Sequence, residues 1–326
     1  MRTAAEPEAS GLGGSRGQQD GPPLPPSPPQ WVGTLGSDHP LLGVAARTWD
    51  GARVSLPEMA MRLGAYRAIL VGEQHDNRDH HRLQAWLVRY LASLGTPIAV
   101  AFEMLDVDDQ AKIDRALSQP NVDAAGLAET VAWSASGWPD FSLYAPVFEA
   151  ALRADAPLLA SGLPRAQAMQ VARGQAGKRF DDIRARYGLD EPLSEELGSA
   201  LAQEMQAAHC GHMPERMLPS MIAVQRLRDG LLAEGVRSGL VGTQRVVLVA
   251  GNGHVRKDRG VPSLLSKVGV QGVSVVGLLE VDPERRALAD YVADHGSAFD
   301  YIVLTPRASD RDHCAELLKR LSPDHS

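Results

Sequence analysis

The sequence predicts an α/β fold: a mostly parallel β-sheet covered by helices, with a helical insertion or cap at about 165–235. Three observations predict it. Short runs of Val, Ile, Leu and Ala alternate with amphipathic helical stretches, as strand–helix–strand units do. Two of those runs, Ile69-Leu70-Val71 and Val246-Val247-Leu248-Val249, lead into Gly-x-x-His, so each delivers a histidine from a strand's carboxyl end. Between 165 and 235 the pattern is helical throughout.

Composition supports this class. Of 326 residues 44% are hydrophobic, 22% charged and only 5% aromatic, so Ala, Leu, Val and Gly carry the apolar content. That favours helices on a sheet over an aromatic-rich β-sandwich. The net charge of −7 mixes both signs along the chain and leaves no basic stripe for nucleic acid. No apolar run approaches the roughly 18 residues of a membrane helix. Cys210 and Cys314 form neither a metal pattern nor a disulfide framework by spacing. A bridge between them is open in an oxidising compartment.

In chain order, residues 1–30 are rich in Gly, Pro, Ser, Gln and Glu, and are expected to be a disordered tail ending in a stiff polyproline stretch. It has no apolar core of the kind a secretory signal needs. Residues 31–326 are expected to form one domain. Asp50-Gly51 marks a turn, Arg53-Val54-Ser55 a short strand, and Leu56–Leu63 a helix with Pro57 in its first turn and Gly64 after it. Ala68–Val71 is the first main strand. Asp79 is the expected N-cap of a helix over His80–Ser93, where Leu83, Trp86, Leu87, Tyr90 and Leu91 share one face. Gly95-Thr96-Pro97 stops it, and a strand over Ile98–Phe102 runs into Glu103. A helix over Asp108–Leu117, an irregular stretch at 121–140, a helix over Leu143–Ala154 and a strand over Pro157–Ala160 come next. The clearest cap helix is Met217–Leu232. Strands at Arg245–Ala250, Val273–Leu278 and Tyr301–Leu304 precede a C-terminal helix over Cys314–Leu321.

Ligands in open parallel sheets sit beyond the strands' carboxyl ends. Glu73, His75, Glu103 and His254 fall there, and charged groups at the ends of buried strands need partners. His75, Glu103 and His254 could hold a divalent metal such as Mn²⁺ or Zn²⁺, with Glu73 as base. The same set works without metal, one histidine as general base and a glutamate orienting it. A histidine after a strand is also at home as a hydrogen-bonded loop residue, so the weight rests on the matched pair together with Glu103. Gly72, Gly251 and Gly253 are expected to let the backbone turn sharply. His209-Cys210-Gly211-His212 crowds metal-binding residue types, although a helix end before Pro214 explains it too. Gln225 and Asp229 share one helix face, toward the site or toward solvent. His80 and His81 begin a helix, either as ordinary helix-start residues or with one of them reaching the site. Trp133, Trp138 and Tyr144 suit either a flat aromatic ligand or the core. There is no dinucleotide fingerprint, P-loop or Gly-x-Ser-x-Gly elbow.

Read in order, Gly72-Glu73-Gln74-His75, Phe102-Glu103-Met104, Gly137-Trp138-Pro139, His209-Cys210-Gly211-His212, Gln225-Arg226-Leu227-Arg228-Asp229, Gly251-Asn252-Gly253-His254, Gly260-Val261-Pro262 and Phe299–Pro306 form a specific series. The chain thereby resembles the ChaN-like family of haem-binding, iron-regulated lipoproteins, within the wider Tiki and erythromycin-esterase-like group, over about 50–306. The resemblance implies haem binding in bacterial iron acquisition, two haems stacked across a homodimer, and a tyrosine on the iron, here assigned to Tyr144. Trp138, His212, Gln225 and Asp229 are the further haem-site expectations. It also implies the cell envelope and a lipid anchor, although no lipobox cysteine is visible in this sequence. Relatives in the wider group act as hydrolases, peptidase or esterase, through the positions matching His75, His254 and Glu103, with Glu73 beside them.

Overall fold

The computed structural model describes residues 23–175, 177–311 and 314. Eight strands form one sheet: β1 (Ala45–Arg47), β2 (Arg53–Val54), β3 (Ala68–Glu73), β4 (Ile98–Asp106), β5 (Leu158–Gly162), β6 (Arg245–Gly251), β7 (Val273–Glu280) and β8 (Tyr301–Thr305), in the order β2-β1-β8-β7-β3-β6-β4-β5. The six strands from β8 to β5 run parallel. Only the β1–β2 edge is antiparallel. The twelve α-helices of the described residues are α1 (Leu56–Leu63), α2 (Arg78–Ser93), α3 (Gln110–Leu117), α4 (Ala124–Thr130), α5 (Trp133–Ser136), α6 (Phe141–Arg153), α7 (Arg165–Ala172), α8 (Asp181–Tyr187), α9 (Glu195–Ala208), α10 (Leu218–Gly242), α11 (Val261–Lys267) and α12 (Leu288–His295).

Strand alternation sorts the core into two layers. Ile69 and Val71 of β3, with Val247 and Val249 of β6, face α1, α2 and α6. Ala68, Leu70, Val246 and Leu248 face α10 and α11 on the other side. Phe102 of β4 stacks on Phe148 of α6 with centroids 4.5 Å apart. Each central strand is buried on both faces, which is why it reads as an unbroken apolar run.

The helix α10 runs ten residues past the expected Leu232. Its continuation lies directly on the sheet. A Cβ at Gly235 would come 2.0 Å from Ser161 Oγ, and one at Gly239 2.5 Å from Leu159 Cδ1. These small residues let the helix axis approach β5 and β6, so packing extends it. The strand β4 also outruns its expected end, through a register shift against β5 between Phe102 and Asp106. The stretch 121–140 is not irregular throughout, since it holds α4 and α5.

The cap of α2 also differs. Asn77 Oδ1 accepts the backbone N–H groups of Asp79 (2.9 Å) and His80 (3.2 Å). The Asp79 carboxylate instead takes the N–H groups of Val32 (2.9 Å) and Gly33 (2.8 Å), pinning the entry segment. Of the expected tail, residues 1–22 lie outside the described residues, whereas 23–30 run irregularly along α2. There the Trp86 indole N–H donates to the Pro26 carbonyl at 2.9 Å. The expected C-terminal helix lies outside the described residues except for Cys314, which forms a disulfide with Cys210. No described helix is long and apolar enough to cross a membrane.

Candidate functional site

Three neighbouring strands, β3, β6 and β4, end together. They bring Glu73, Glu103 and, one turn beyond Gly251, His254 to one edge. The glycines serve space rather than turning. Gly72, Gly251 and Gly253 all lack the positive φ that only glycine adopts readily. A Cβ at Gly72 would lie 2.3 Å from Asn252 Oδ1, and one at Gly251 3.1 Å from the His75 ring and 3.6 Å from Glu103 Oε2.

Glu73 is the centre of the first half. Its side chain is fully buried and receives four donors, about the capacity of a carboxylate. Oε1 accepts from Tyr144 Oη at 2.9 Å and His75 Nδ1 at 2.9 Å. Oε2 accepts from Gln84 Nε2 at 2.7 Å and His81 Nδ1 at 3.1 Å. His81 Nε2 lies 3.1 Å from the His75 carbonyl, which can only accept. Both ring nitrogens of His81 therefore carry protons, and a buried imidazolium neutralises Glu73. Burial opposes charge on Glu73, but the His81 charge and the histidine hydrogen bonds win and hold its carboxyl well below the usual range. His81 is likewise opposed by burial and raised by Glu73.

His80 behaves oppositely. Its Nδ1 accepts the Gln74 backbone N–H at 2.8 Å and its Nε2–H donates to Thr305 Oγ1 at 2.8 Å, so it is neutral. Burial, with the His81 charge, pushes it down to about 3.

His75 has 37% of its side chain exposed and its edge against Trp138, centroids 4.9 Å apart. With Nδ1–H held by Glu73, its Nε2 points toward the neighbouring half of the site. Burial lowers its pKa, but the Glu73 hydrogen bond and the Glu103 charge raise it above the ordinary imidazole value.

The second half is built on His254. Nδ1 lies 2.6 Å from Asp229 Oδ1 and Nε2 3.2 Å from Glu103 Oε1. The Gln225 amide is 3.1 Å from the same Nδ1. Glu103 Oε2 also accepts the Gly251 N–H at 2.8 Å. Burial opposes the charge on His254, but the two carboxylates push it up to about 10. Glu103 is held near 2, burial being outweighed by His254. Asp229 is raised by burial, the His254 charge offsetting only part of that.

Of the three residues expected to hold a metal, Glu103 and His254 face each other, and His75 is turned by its Nδ1 onto Glu73. Among the described residues no group of three or more His, Cys, Asp or Glu is arranged to hold a metal ion. Tyr144 is not placed as the expected iron ligand. It is completely buried, its hydroxyl donates to Glu73, and burial together with that carboxylate drives its pKa far up, the opposite of what an iron-bound phenolate needs.

A cavity of about 470 Å³ opens beside this cluster, between α9, α10 and α11. Leu197, Leu201, Met205 and His209 recur every four residues along α9 and line one wall. Met221 and Leu264 face them, and Gln225 and Asp229 join the cavity to His254. Gln225 and Asp229 therefore point at the site and not at solvent. Arg228 borders this cavity and a smaller one beside Glu103 and Trp138. His212 is exposed and outside the cavity wall. Trp133 is core. Sequence reasoning missed Gln84, for which no motif exists, and gave no role to Arg228, although Arg228 lies inside the Gln225–Asp229 motif. It had left His80 and His81 undecided, and the one that meets Glu73 is His81.

Residues 59–265, well over half of the chain, match the family model for haem-binding uptake, Tiki superfamily, ChaN. The chain belongs to the ChaN family. Among solved structures, ChaN of Campylobacter jejuni, described with cofacial haem binding, is 20% identical; the match covers 80% of this chain and 96% of that one with a TM-score of 0.64. An erythromycin esterase, EreC, in an open conformation, is 13% identical over 87% of this chain and 99% of its own, with a TM-score of 0.45. The first likeness establishes the ChaN-like α/β fold. No curated protein matches the chain.

Proposed function

We propose that this protein binds haem in the cavity beneath its helical cap, as a carrier in bacterial haem and iron acquisition. The observation that carries the reading is the cavity. Its volume of about 470 Å³ lies in the range of small-molecule sites. Leu197, Leu201, Met205, Met221 and Leu264 give it an apolar side suited to a porphyrin face, and charged residues such as Arg226, Arg259 and Lys267 border it. Arg228, half-buried at its edge, makes no direct hydrogen bond or ion pair with any described residue and acts on Asp106 and Asp229 only through its charge, so its guanidinium can meet a propionate carboxylate. Bound haem would supply iron for delivery, and the chain's part is to hold and shield it. Homodimer formation and an envelope location belong to this proposal on family grounds alone. Absorption titration with haemin tests it: a saturable Soret change at one haem per chain is expected, weakened by Arg228→Ala. A spectrum that remains that of free haemin refutes it.

A hydrolytic second reading has one specific observation in its favour. His75 Nδ1–H is held by a buried carboxylate while the ring stays partly open, the arrangement of an oriented general base. Ester or peptide turnover lost in His75→Ala would support it. Because the base must be neutral, turnover should rise with pH through a value above the ordinary imidazole pKa. No turnover above buffer across ester and peptide libraries eliminates it.

A further inference from the structure

We propose that His209 is the axial ligand of haem iron in this chain, standing where the family resemblance implies a tyrosine. The inference rests on the haem reading and deepens it. The six tyrosines of the sequence are poorly placed. Tyr90, Tyr144, Tyr187, Tyr291 and Tyr301 are buried, and none lines the cavity. Tyr66 is half-buried just before β3, at the end of the sheet away from the site.

His209 has the opposite properties. It closes α9 as its C-cap residue and continues the Leu197, Leu201, Met205 stripe, so its ring lies on the wall against which a porphyrin would lie. Its Nδ1 is 2.8 Å from the Met205 carbonyl oxygen. A carbonyl can only accept, so the proton is on Nδ1 and the Nε2 lone pair is free. Metal-bound histidines typically have this arrangement, the second ring nitrogen donating to a backbone carbonyl that fixes tautomer and orientation. Histidine is an ordinary axial ligand of haem. Among the described residues no other histidine lines the cavity. His254 spends both nitrogens on Asp229 and Glu103, His75 spends Nδ1 on Glu73 and does not line the cavity, and His212 is off the wall.

The neighbouring Cys210 is bonded to Cys314, which ties the carboxyl end of α9 to the C-terminal part of the chain. That bridge sits one residue from the proposed ligand and restrains the turn that presents it.

The test uses the whole protein with haemin as probe. Wild type, His209→Ala, His212→Ala and Tyr144→Phe are titrated with haemin, then reduced, and the iron–imidazole stretch is sought by resonance Raman. His209 is exposed, so its replacement should leave the thermal melt unchanged. The expected result is an iron–imidazole signature in wild type, His212→Ala and Tyr144→Phe. In His209→Ala it is lost, with affinity down by roughly tenfold or more, the lower end of what disturbing a ligand's support alone costs. Free imidazole should restore the band in that variant. If wild type binds haemin and His209→Ala keeps its spectrum and affinity, the ligand assignment is wrong while the haem reading stands. If wild type does not bind haemin, the haem reading itself fails and takes this assignment with it.

Discussion

Replacing Glu73 by glutamine should destabilise the protein in a pH-dependent way. The wild-type carboxylate accepts from Tyr144, His75, Gln84 and His81 at 2.7–3.1 Å. Glutamine removes the charge that neutralises the His81 imidazolium and turns an N–H toward other donors. Removing one partner of a buried ion pair costs about 3–5 kcal/mol. That full cost applies at about pH 5.5, where histidine is protonated in the unfolded chain. At about pH 8 the variant's His81 can lose its proton, leaving only mismatched hydrogen bonds, roughly 1–3 kcal/mol. The sign follows from linkage. With Glu73, the folded pKa of His81 is raised above 6.5, so its stabilisation is complete below that value and lost as pH rises through the folded pKa. Without Glu73, burial depresses it, and the variant loses stability as pH falls. The Glu73 carboxyl is depressed in the wild type, so its stabilisation is present above 4.5 and disappears only in stronger acid. Urea denaturation of both proteins at the two pH values measures the difference. A penalty below about 1 kcal/mol at the acid value, or one that does not shrink toward pH 8, refutes the assignment of His81 as a buried imidazolium.

Gly251→Ala should cost about 1–3 kcal/mol by overpacking against the His75 ring, which lies 3.1 Å from the new Cβ, and thermal melts will read it. His254→Ala leaves Asp229 and Glu103 without their shared cation, and should cost about 3–5 kcal/mol by chemical denaturation, more than Gln225→Ala does. Cys210→Ser, or reductant on wild type, opens a link across 104 residues and should lower stability by roughly 2–4 kcal/mol; an unchanged denaturation midpoint would argue against the bridge.

The central strands were legible because a strand buried on both faces must be apolar throughout, and Ala68–Val71 and Val246–Val249 are. The short strand Ala45–Arg47 was not, since three residues carry no period and its pairing with β8 is long-range. Asn77 took the cap from Asp79 because the Asp79 carboxylate is used on Val32 and Gly33, a tertiary contact that no local rule foresees. The strand-end motifs marked Glu73, His75, Glu103 and His254, because a charge at the end of a buried strand must be answered by something. What answers them came from helices whose rotation sequence does not fix: His81 and Gln84 on α2, Gln225 and Asp229 on α10. The same limit made Tyr144 look available, although α6 turns it inward onto Glu73.

The central claim is that haem lies in the cavity between α9, α10 and α11, and blocking that cavity tests it most directly. Leu197 is half-buried on its wall, so Leu197→Trp fills space there without entering the main core. Haemin affinity should fall by at least about tenfold, or roughly 1.4 kcal/mol, with the thermal melt unchanged. Wild-type haemin affinity in Leu197→Trp would contradict the placement.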